Sequence, residues 1–461
     1  MIAATTFNNK KVAVFGLGRT GLTVIEALQK GGADVWAFDD NAAACEKARA
    51  NGLPIVDLHE ADFSQLDSYV LSPGVPLTHP KPHWSVEKAK AAGVEIIGDT
   101  EVFVRQVAGT GAKIVGITGT NGKSTTTALI GHVLKSGGLD AEIGGNIGTA
   151  VFLLSPPTKN KIYVLEFSSY QLDLTPSLKP DVAVLMNLSP DHLDRHGSME
   201  NYAGVKAKIF ALQSGRDVGV VGVDDDWCRA IAGQLSGHEI VEISVERYIE
   251  NGVSALDGFL KSGDERIDLN GMHGLRGNHN WQNACAAFAV GRALGLSVDA
   301  IEIGMKSFAG LVHRMEMVGQ IGNVLFVNDS KGTNADAAGH ALATFENIYW
   351  IAGGRSKQDG IEPLRQYFPK ISQAYLIGES ARSFANTLDG VVKYEVCNTL
   401  EIAVAHAARD AASKVGEQGV VLLSPACASF DQFLNFEVRG DVFRGLVSDL
   451  EGIELTKGVA A

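Results

Sequence analysis

Short β-branched runs recur along the chain. Each ends in a glycine or polar loop that leads into a segment whose apolar residues follow helical spacing. KVAVFGLGRTGLTVIEALQKGG reads as strand, loop and helix. The alternation returns at KIVGITGTNGKSTTTALIGHVLKSGG and at the strand-like runs KIYVLEF, DVAVLMNL, NVLFVND, NIYWIAGG, QAYLIGE and GVVLLSPA. Strands alternating with helices predict parallel sheets covered on both faces, an α/β fold throughout. Fresh strand series start after residues 101–113 and after SFAGLVHRMEMVGQIGN, which places domain boundaries near 105 and 310. The stretch from Glu239 to Gly274 alternates less regularly and carries no readable motif.

Length agrees with this division, because 461 residues at roughly 150 per domain make about three domains. Acidic residues outnumber basic ones 53 to 40, for a formal charge of -13. Such a chain has no global attraction for nucleic acid or anionic lipid, so any anionic ligand must be gripped locally. The five cysteines form no CxxC pair, which argues against a disulfide framework or structural zinc and suits a reducing cytoplasm. No run approaches the ~20 apolar residues of a membrane span, and a cytoplasmic protein acting on small molecules, as a monomer, is expected.

Two glycine loops carry the candidate chemistry. GLGRTG, Gly16 to Gly21, has the G-x-G-x-x-G form between strand and helix, with Asp39 and Asp40 ending the next strand. This arrangement admits a nucleotide diphosphate: glycines let the backbone approach, the helix N-terminus supplies amide donors, and the acid meets a ribose or base. It does not name the nucleotide, and a glycine turn serving only tight packing has the same form. In GITGTNGKST the run Asn121-Gly122-Lys123-Ser124-Thr125 lies between a strand and a helix, as in loops whose amides cradle phosphates. Lys123 would reach the β and γ phosphates and Ser124 would ligate Mg²⁺. The usual first glycine is replaced by Ile117, flanked by Gly116 and Gly119. ATP therefore becomes the expected ligand here. At further strand ends, Glu166 is either a site carboxylate or a solvated or helix-capping one. His192 is either a site group or a loop histidine held by Asp194.

Taken together, GTNGKST, GGNIG, EFSSYQL, NLSPDHLDRHGSMENYAGVKAKIF, GNHNWQNACAA, the pair His313-Arg314, NDSKGTN and SPACASFDQFLNFEVRG resemble the Mur ligases of peptidoglycan precursor synthesis over essentially the whole chain. The resemblance implies a Rossmann-like N-terminal domain for a UDP-sugar (1–105), a central P-loop ATPase-like domain (106–310) and a Rossmann-like C-terminal domain for an amino acid (311–461). GLGRTG, NDSKGTN and SPACASFDQF are similar to the branch that joins D-glutamate to UDP-N-acetylmuramoyl-L-alanine. The implied reaction is ATP-dependent, through an acyl phosphate. Carried over by position, Gly119 to Thr125 with Asn280, Arg314 and Asp329 would contact ATP. Ser124 and Glu166 would hold one Mg²⁺, and His192 with Lys206 as its carbamate would serve a second. Asn146 and His192 would lie near the reacting carboxylate. Gly18, Arg19, Thr20, Asp39, Ser72, Pro73 and Gly74 would take the UDP-sugar, and Lys331, Thr333, Lys357, Ser429 and Phe436 the D-glutamate. Where relatives often have Asp-Thr-Arg, this chain has Asp39, Asp40 and Asn41. Other readings are a folylpolyglutamate synthetase-like ligase, against which GLGRTG speaks, an NAD-dependent dehydrogenase, and an ATP-binding regulatory module without turnover.

Overall fold

The structure, a computed structural model, describes residues 1–356, 360–414, 416 and 418–456. It divides into two compact units, 1–270 with 278–307, and 271–277 with 308–461. The first unit holds two sheets. Strands β1 (Lys11–Phe15), β2 (Asp34–Phe38), β3 (Ser68–Leu71) and β4 (Glu95–Ile97) pair in parallel in the order β2-β1-β3-β4. The second sheet has nine strands: β5 (Lys113–Thr118), β6 (Ala141–Gly145), β7 (Ile162–Glu166), β8 (Val182–Leu185), β9 (Val218–Gly222), β10 (Glu239–Ser244), β11 (Val253–Leu256), β12 (Phe259–Ser262) and β13 (Glu265–Asp268). Their order is β13-β12-β11-β10-β9-β8-β5-β7-β6. Pairing is parallel from β6 to β11, and β12 and β13 then fold back antiparallel.

The parallel strands are buried on both faces. β7 and β8 have no exposed position, as expected of β-branched runs covered by helices. One apolar cluster runs through both sheets' helices, joining Val24 and Leu28 to Phe103, Phe152 and Tyr163. Phe103 makes edge contacts with Phe152 and Tyr163 at 6.0 and 5.1 Å between centroids. Hydrogen bonds from Ser177 to the fully buried Glu101 fasten the same junction, as does one between Thr100 and Thr175.

The second unit holds a seven-stranded sheet of β14 (Glu316–Ile321), β15 (Val324–Asn328), β16 (Ile348–Gly353), β17 (Ile371–Ile377), β18 (Tyr394–Asn398), β19 (Gly419–Leu423) and β20 (Glu454–Leu455), in the order β18-β17-β16-β19-β15-β14-β20. It is parallel from β18 to β15, with β14 and β20 antiparallel at one edge. Its two faces pack separate apolar layers, one around Trp350 and Phe384, the other around Tyr375 and Phe443.

The stretch that was silent in sequence, Glu239 to Gly274, forms β10 to β13. The hairpin β11–β12 turns through Asp257 and Gly258, both at positive φ (52° and 81°). An Asp-Gly pair is the residue choice such a two-residue turn demands.

Candidate active site

The second glycine loop leaves β5 and enters the helix Lys123–Ser136. Gly116 lies inside β5, against Ile209 and Pro180, so the displaced glycine of the sequence pattern belongs to strand packing. The loop itself is turned by Gly119 (φ 149°) and Gly122 (φ 81°). At Gly122 a Cβ would stand 2.7 Å from Asn283 Oδ1, so both space and backbone require glycine. Asn187 holds the loop from below: its Oδ1 accepts from Asn121 N at 2.8 Å and its carbonyl from Thr120 N at 2.8 Å. Ser124 and Thr125 are buried at the helix start. Asn280, also buried, accepts from Asn283 Nδ2, and Asn283 accepts from Thr126 Oγ1, which brings the helix Asn278–Ala293 beside the loop.

Two lysines converge on one carbonyl. Lys123 Nζ donates to Gly119 O at 2.9 Å and Thr120 O at 2.6 Å, while Lys206 Nζ donates to Gly119 O at 2.8 Å and Thr118 Oγ1 at 3.2 Å. Lys206 is 1% exposed. Burial first, and the charge of Lys123 second, push its ammonium pKa well below the ordinary lysine value. Lys206 lies in the last turn of the helix Met199–Ala207, whose N-terminus is capped by the Ser198 hydroxyl. Lys208 points the other way and pairs with Asp173 at 2.5 Å.

Glu166 closes β7 next to this loop at 2% exposure, which overturns the reading of it as a solvated carboxylate. Its Oε1 accepts from Asn146 Nδ2 at 2.9 Å, while Oε2 is buried with no hydrogen-bond partner. A buried carboxylate oxygen left unsatisfied suits a hard divalent cation such as Mg²⁺, so the residue present fits that ion. His192 takes a left-handed backbone (φ 53°) as N-cap of the helix Leu193–His196. Asp194 does not hold it. Its Nε2 lies 3.4 Å from Asp191 Oδ2, because the turn brings the preceding acid under the ring. Burial lowers its pKa, with Asp191 opposing.

In the first glycine loop, Gly18 caps the helix Arg19–Lys30, with Thr20 in its first turn. Gly16 lies so close to Ser72 that a Cβ would come within 2.5 Å of the serine Cβ, which sets this loop beside Ser72-Pro73-Gly74. The Asp39 carboxylate is directed at the backbone: Oδ2 accepts from Leu17 N at 2.8 Å and Oδ1 from Asn41 N at 2.9 Å. Asp40 accepts from Trp84 Nε1 and lies 2.9 Å from His83 Nε2.

In the second unit, Asp329 is buried and accepts from Ser424 Oγ at 2.7 Å. Burial pushes its pKa up to about 6, against the opposing hydrogen bond and the charge of Arg314. Lys331 Nζ sits 5.3 Å above the Phe436 ring, and Thr333 N bonds back to Lys331 O, so NDSKGTN and the helix Phe436–Ser448 meet. Ser429 Oγ is buried without a partner. Lys357 lies outside the described residues. Elsewhere in this unit Glu395, Cys397 and His406 approach within 4.8 Å of one another, with Glu395 Oε1 and His406 Nδ1 hydrogen-bonded at 2.7 Å.

Asn187, Tyr202 and Tyr170 escaped the sequence reading. Tyr202 hydroxyl meets Thr120 Oγ1 at 3.1 Å, and Tyr170 packs beside His192. The signal for Asn187 was its place at a strand's carboxyl end, where ligands bind in such sheets.

Known proteins match the chain along most of its length. The description "Mur ligase MurD-like, N-terminal domain" matches residues 10–98, "Mur ligase middle domain" residues 117–291, and "Mur ligase, glutamate ligase domain" residues 313–427. The chain belongs to the Mur ligase family. A relative from Chelativorans sp. (strain BNC1), named UDP-N-acetylmuramoylalanine--D-glutamate ligase, is 54% identical over 99% of each chain. One of the same name from Brucella abortus is 52% identical over 99% of this chain and all of its own. The fold is also similar to the Mur ligase UDP-N-acetylmuramate-alanine ligase of Thermotoga maritima, with a TM-score of 0.58 at 18% identity over 95% of this chain and 100% of that one. The chain itself has three sheets among its described residues. Among the described residues no helix is long and apolar enough to cross a membrane.

Proposed function

We propose that this protein is an ATP-dependent ligase that joins D-glutamate to UDP-N-acetylmuramoyl-L-alanine in peptidoglycan precursor synthesis. The observation that carries the reading is the convergence of the half-buried Lys123 and the buried Lys206 on the Gly119 carbonyl, with the unpartnered Glu166 oxygen beside the same loop. It is supported by relatives of that name at more than half identity over nearly the whole chain.

A carboxylate is too poor an electrophile for an amine, so the L-alanine carboxylate first attacks the ATP γ-phosphoryl group and ADP leaves. The D-glutamate amine then attacks the acyl phosphate carbonyl, and phosphate departs. Lys123 neutralises charge on the transferring phosphoryl group, and the loop amides from Gly119 to Thr125 hold the phosphates. Ser124 and Glu166 would hold Mg²⁺, which would supply further charge neutralisation, and His192 with Lys206 would serve a second ion. Asn146 and His192 orient the reacting carboxylate.

Lys206, buried and with its pKa lowered by that burial, would be the nucleophile for CO₂ once its ammonium has given a proton to solvent. Its neutral nitrogen adds to the carbon, loses a proton and becomes a carbamate anion, an oxygen donor of the type Mg²⁺ prefers. Asn280, Arg314 and Asp329 keep ATP contacts in this reading. Gly18, Arg19, Thr20, Asp39, Ser72, Pro73 and Gly74 form the UDP-sugar side. Lys331, Thr333, Lys357, Ser429 and Phe436 form the D-glutamate side, where the orphan Ser429 hydroxyl supports a polar ligand. The protein acts as a cytoplasmic monomer. Phosphate release should require UDP-N-acetylmuramoyl-L-alanine, D-glutamate and ATP together, with L-glutamate a poor replacement. Equal turnover with L-glutamate, or without the sugar nucleotide, overturns the proposal.

A further inference from the structure

The short helix that begins at His192 is gripped at both ends by the segment following β3. Arg195 Nη1 donates to Gly74 O at 3.0 Å, and the same guanidinium lies 4.5 Å from the centre of the Tyr170 ring. Tyr170 in turn lies 5.1 Å from the His192 ring and stacks on His196 at 5.5 Å and 14°. His196 is itself fixed by a 2.9 Å contact with Ser169 Oγ. Past the helix, Gly197 (φ 80°) touches His79 so closely that a Cβ would come within 2.7 Å of the imidazole Nε2. A matching link runs the opposite way, with Arg19 Nη2 donating at 3.2 Å to Gly148 O, in the loop that carries Asn146. Each of these two arginines reaches across from one sheet's domain to a backbone carbonyl of the other.

His192 holds a backbone conformation that a non-glycine residue keeps only where its surroundings over-determine it. The Arg195 contacts supply that determination. A guanidinium can stack flat on a ring while its edge donates to a carbonyl; an ammonium can do only the second. We propose that Arg195 is a positioning residue that couples the Ser72-Pro73-Gly74 loop to His192 through Tyr170, so that seating the sugar nucleotide also sets the histidine beside the reacting carboxylate. This rests on the functional reading above, in which that loop takes the UDP-sugar and His192 faces the carboxylate.

The test is a double-mutant cycle in the full chain, with kcat and each KM measured for wild type, Arg195→Ala, Arg195→Lys, Tyr170→Leu and Arg195→Ala/Tyr170→Leu. Arg195→Ala should lower kcat about 10- to 100-fold, the scale of a small misplacement of a reacting group, with the KM values for ATP and D-glutamate unchanged. Arg195→Lys should recover only a minor part, because it donates without stacking. Tyr170→Leu should lose a similar factor, and the double variant should be no worse than the weaker single, since both break one connection. Losses that multiply in the double variant overturn the coupling, as does an unchanged kcat in Arg195→Ala. A second measurement needs no turnover. With UDP as probe, the imidazole C2–H signal of His192, assigned by its loss in His192→Gln, should shift in wild type and stay put in Arg195→Ala; equal shifts in both overturn the proposal. If wild type works only with another acceptor, the functional reading fails, while the same cycle run with that acceptor still decides the role of Arg195.

Discussion

The loops at Gly16–Gly21 and Gly119–Ser124 share one construction, a parallel strand running through a glycine turn into a helix N-terminus. Their surroundings differ. Around the first, the neighbouring strands bring a serine, Ser72, and a carboxylate, Asp39, that accepts from the loop's own backbone. Around the second, the loop's own helix contributes Lys123, the helix Met199–Ala207 contributes Lys206, and the neighbouring strand β7 brings a buried carboxylate with one unsatisfied oxygen. A glycine turn at a helix N-terminus is a place for phosphate in either case. Whether phosphate is merely held or is transferred depends on the charge gathered around the loop and withdrawn from water, where electrostatic interactions are strongest.

The largest effect that could break this contrast is expected from Lys123→Ala. An aimed charge at a transferring phosphoryl group is worth ~3–4 kcal/mol or more, and each ~1.4 kcal/mol is tenfold. Turnover should fall by about 10³-fold with an unchanged melting temperature. Near-normal turnover would mean that the second loop holds no transferring phosphate.

Next comes Lys206→Ala, expected to lose about 10²-fold or more and to be partly restored by a small added carboxylate standing in for the carbamate oxygens. Lys208→Ala should be mild, because that side chain reaches Asp173 at the surface. Stability gives an independent sign. A lysine whose folded pKa lies below its unfolded value binds fewer protons when folded, so it opposes folding at neutral pH and the opposition fades as pH rises towards 10.5. Lys206→Met should therefore melt no lower than wild type prepared free of CO₂ at pH 7. A clearly lower melting temperature would show that the amine is a structural group. Glu166→Gln comes third, raising the Mg²⁺ concentration for half-maximal rate by about 10- to 100-fold, the usual scale for disturbing a metal's shell. An unaltered Mg²⁺ titration would remove Glu166 from the ion's shell.

Much of this was legible beforehand for a definite reason. Buried parallel strands are continuous apolar runs, and glycine loops between strand and helix are local, so β1, β5, β7, β8 and both loops could be read from neighbours in sequence. The opposite faces of Lys206 and Lys208 follow from helix geometry alone. What stayed hidden depends on partners far along the chain. Asn187 bonding Asn121, Tyr202 meeting Thr120 and Arg195 reaching Gly74 join residues 66, 82 and 121 positions apart. His192 meeting Asp191 rather than Asp194 goes with a left-handed backbone that few non-glycine residues adopt and that the sequence does not announce. The Asp257-Gly258 hairpin was a local signal present and unread.

The smallest expected effect sharpens the comparison at the first loop. By spacing, Asp39 is the acid that meets a ribose or base; in the fold, each of its oxygens accepts a backbone N–H, from Leu17 inside the glycine loop and from Asn41 at the next helix. Asp39→Asn separates the two roles. An asparagine can offer its one oxygen to only one of those donors and turns an NH₂ towards the other, so a bracing acid should lose a hydrogen bond to a charged group, about 1.5–3 kcal/mol. Unfolding should then occur at lower urea without ligand, and KM for the sugar nucleotide should rise by about three- to tenfold as the loop loosens, with kcat and the KM for ATP unchanged. A pure ribose contact predicts the same rise in KM with the ligand-free unfolding curve unmoved. An unmoved curve together with a raised KM would therefore return Asp39 to direct contact with the nucleotide, and the first loop would resemble the second in bringing its carboxylate to the ligand.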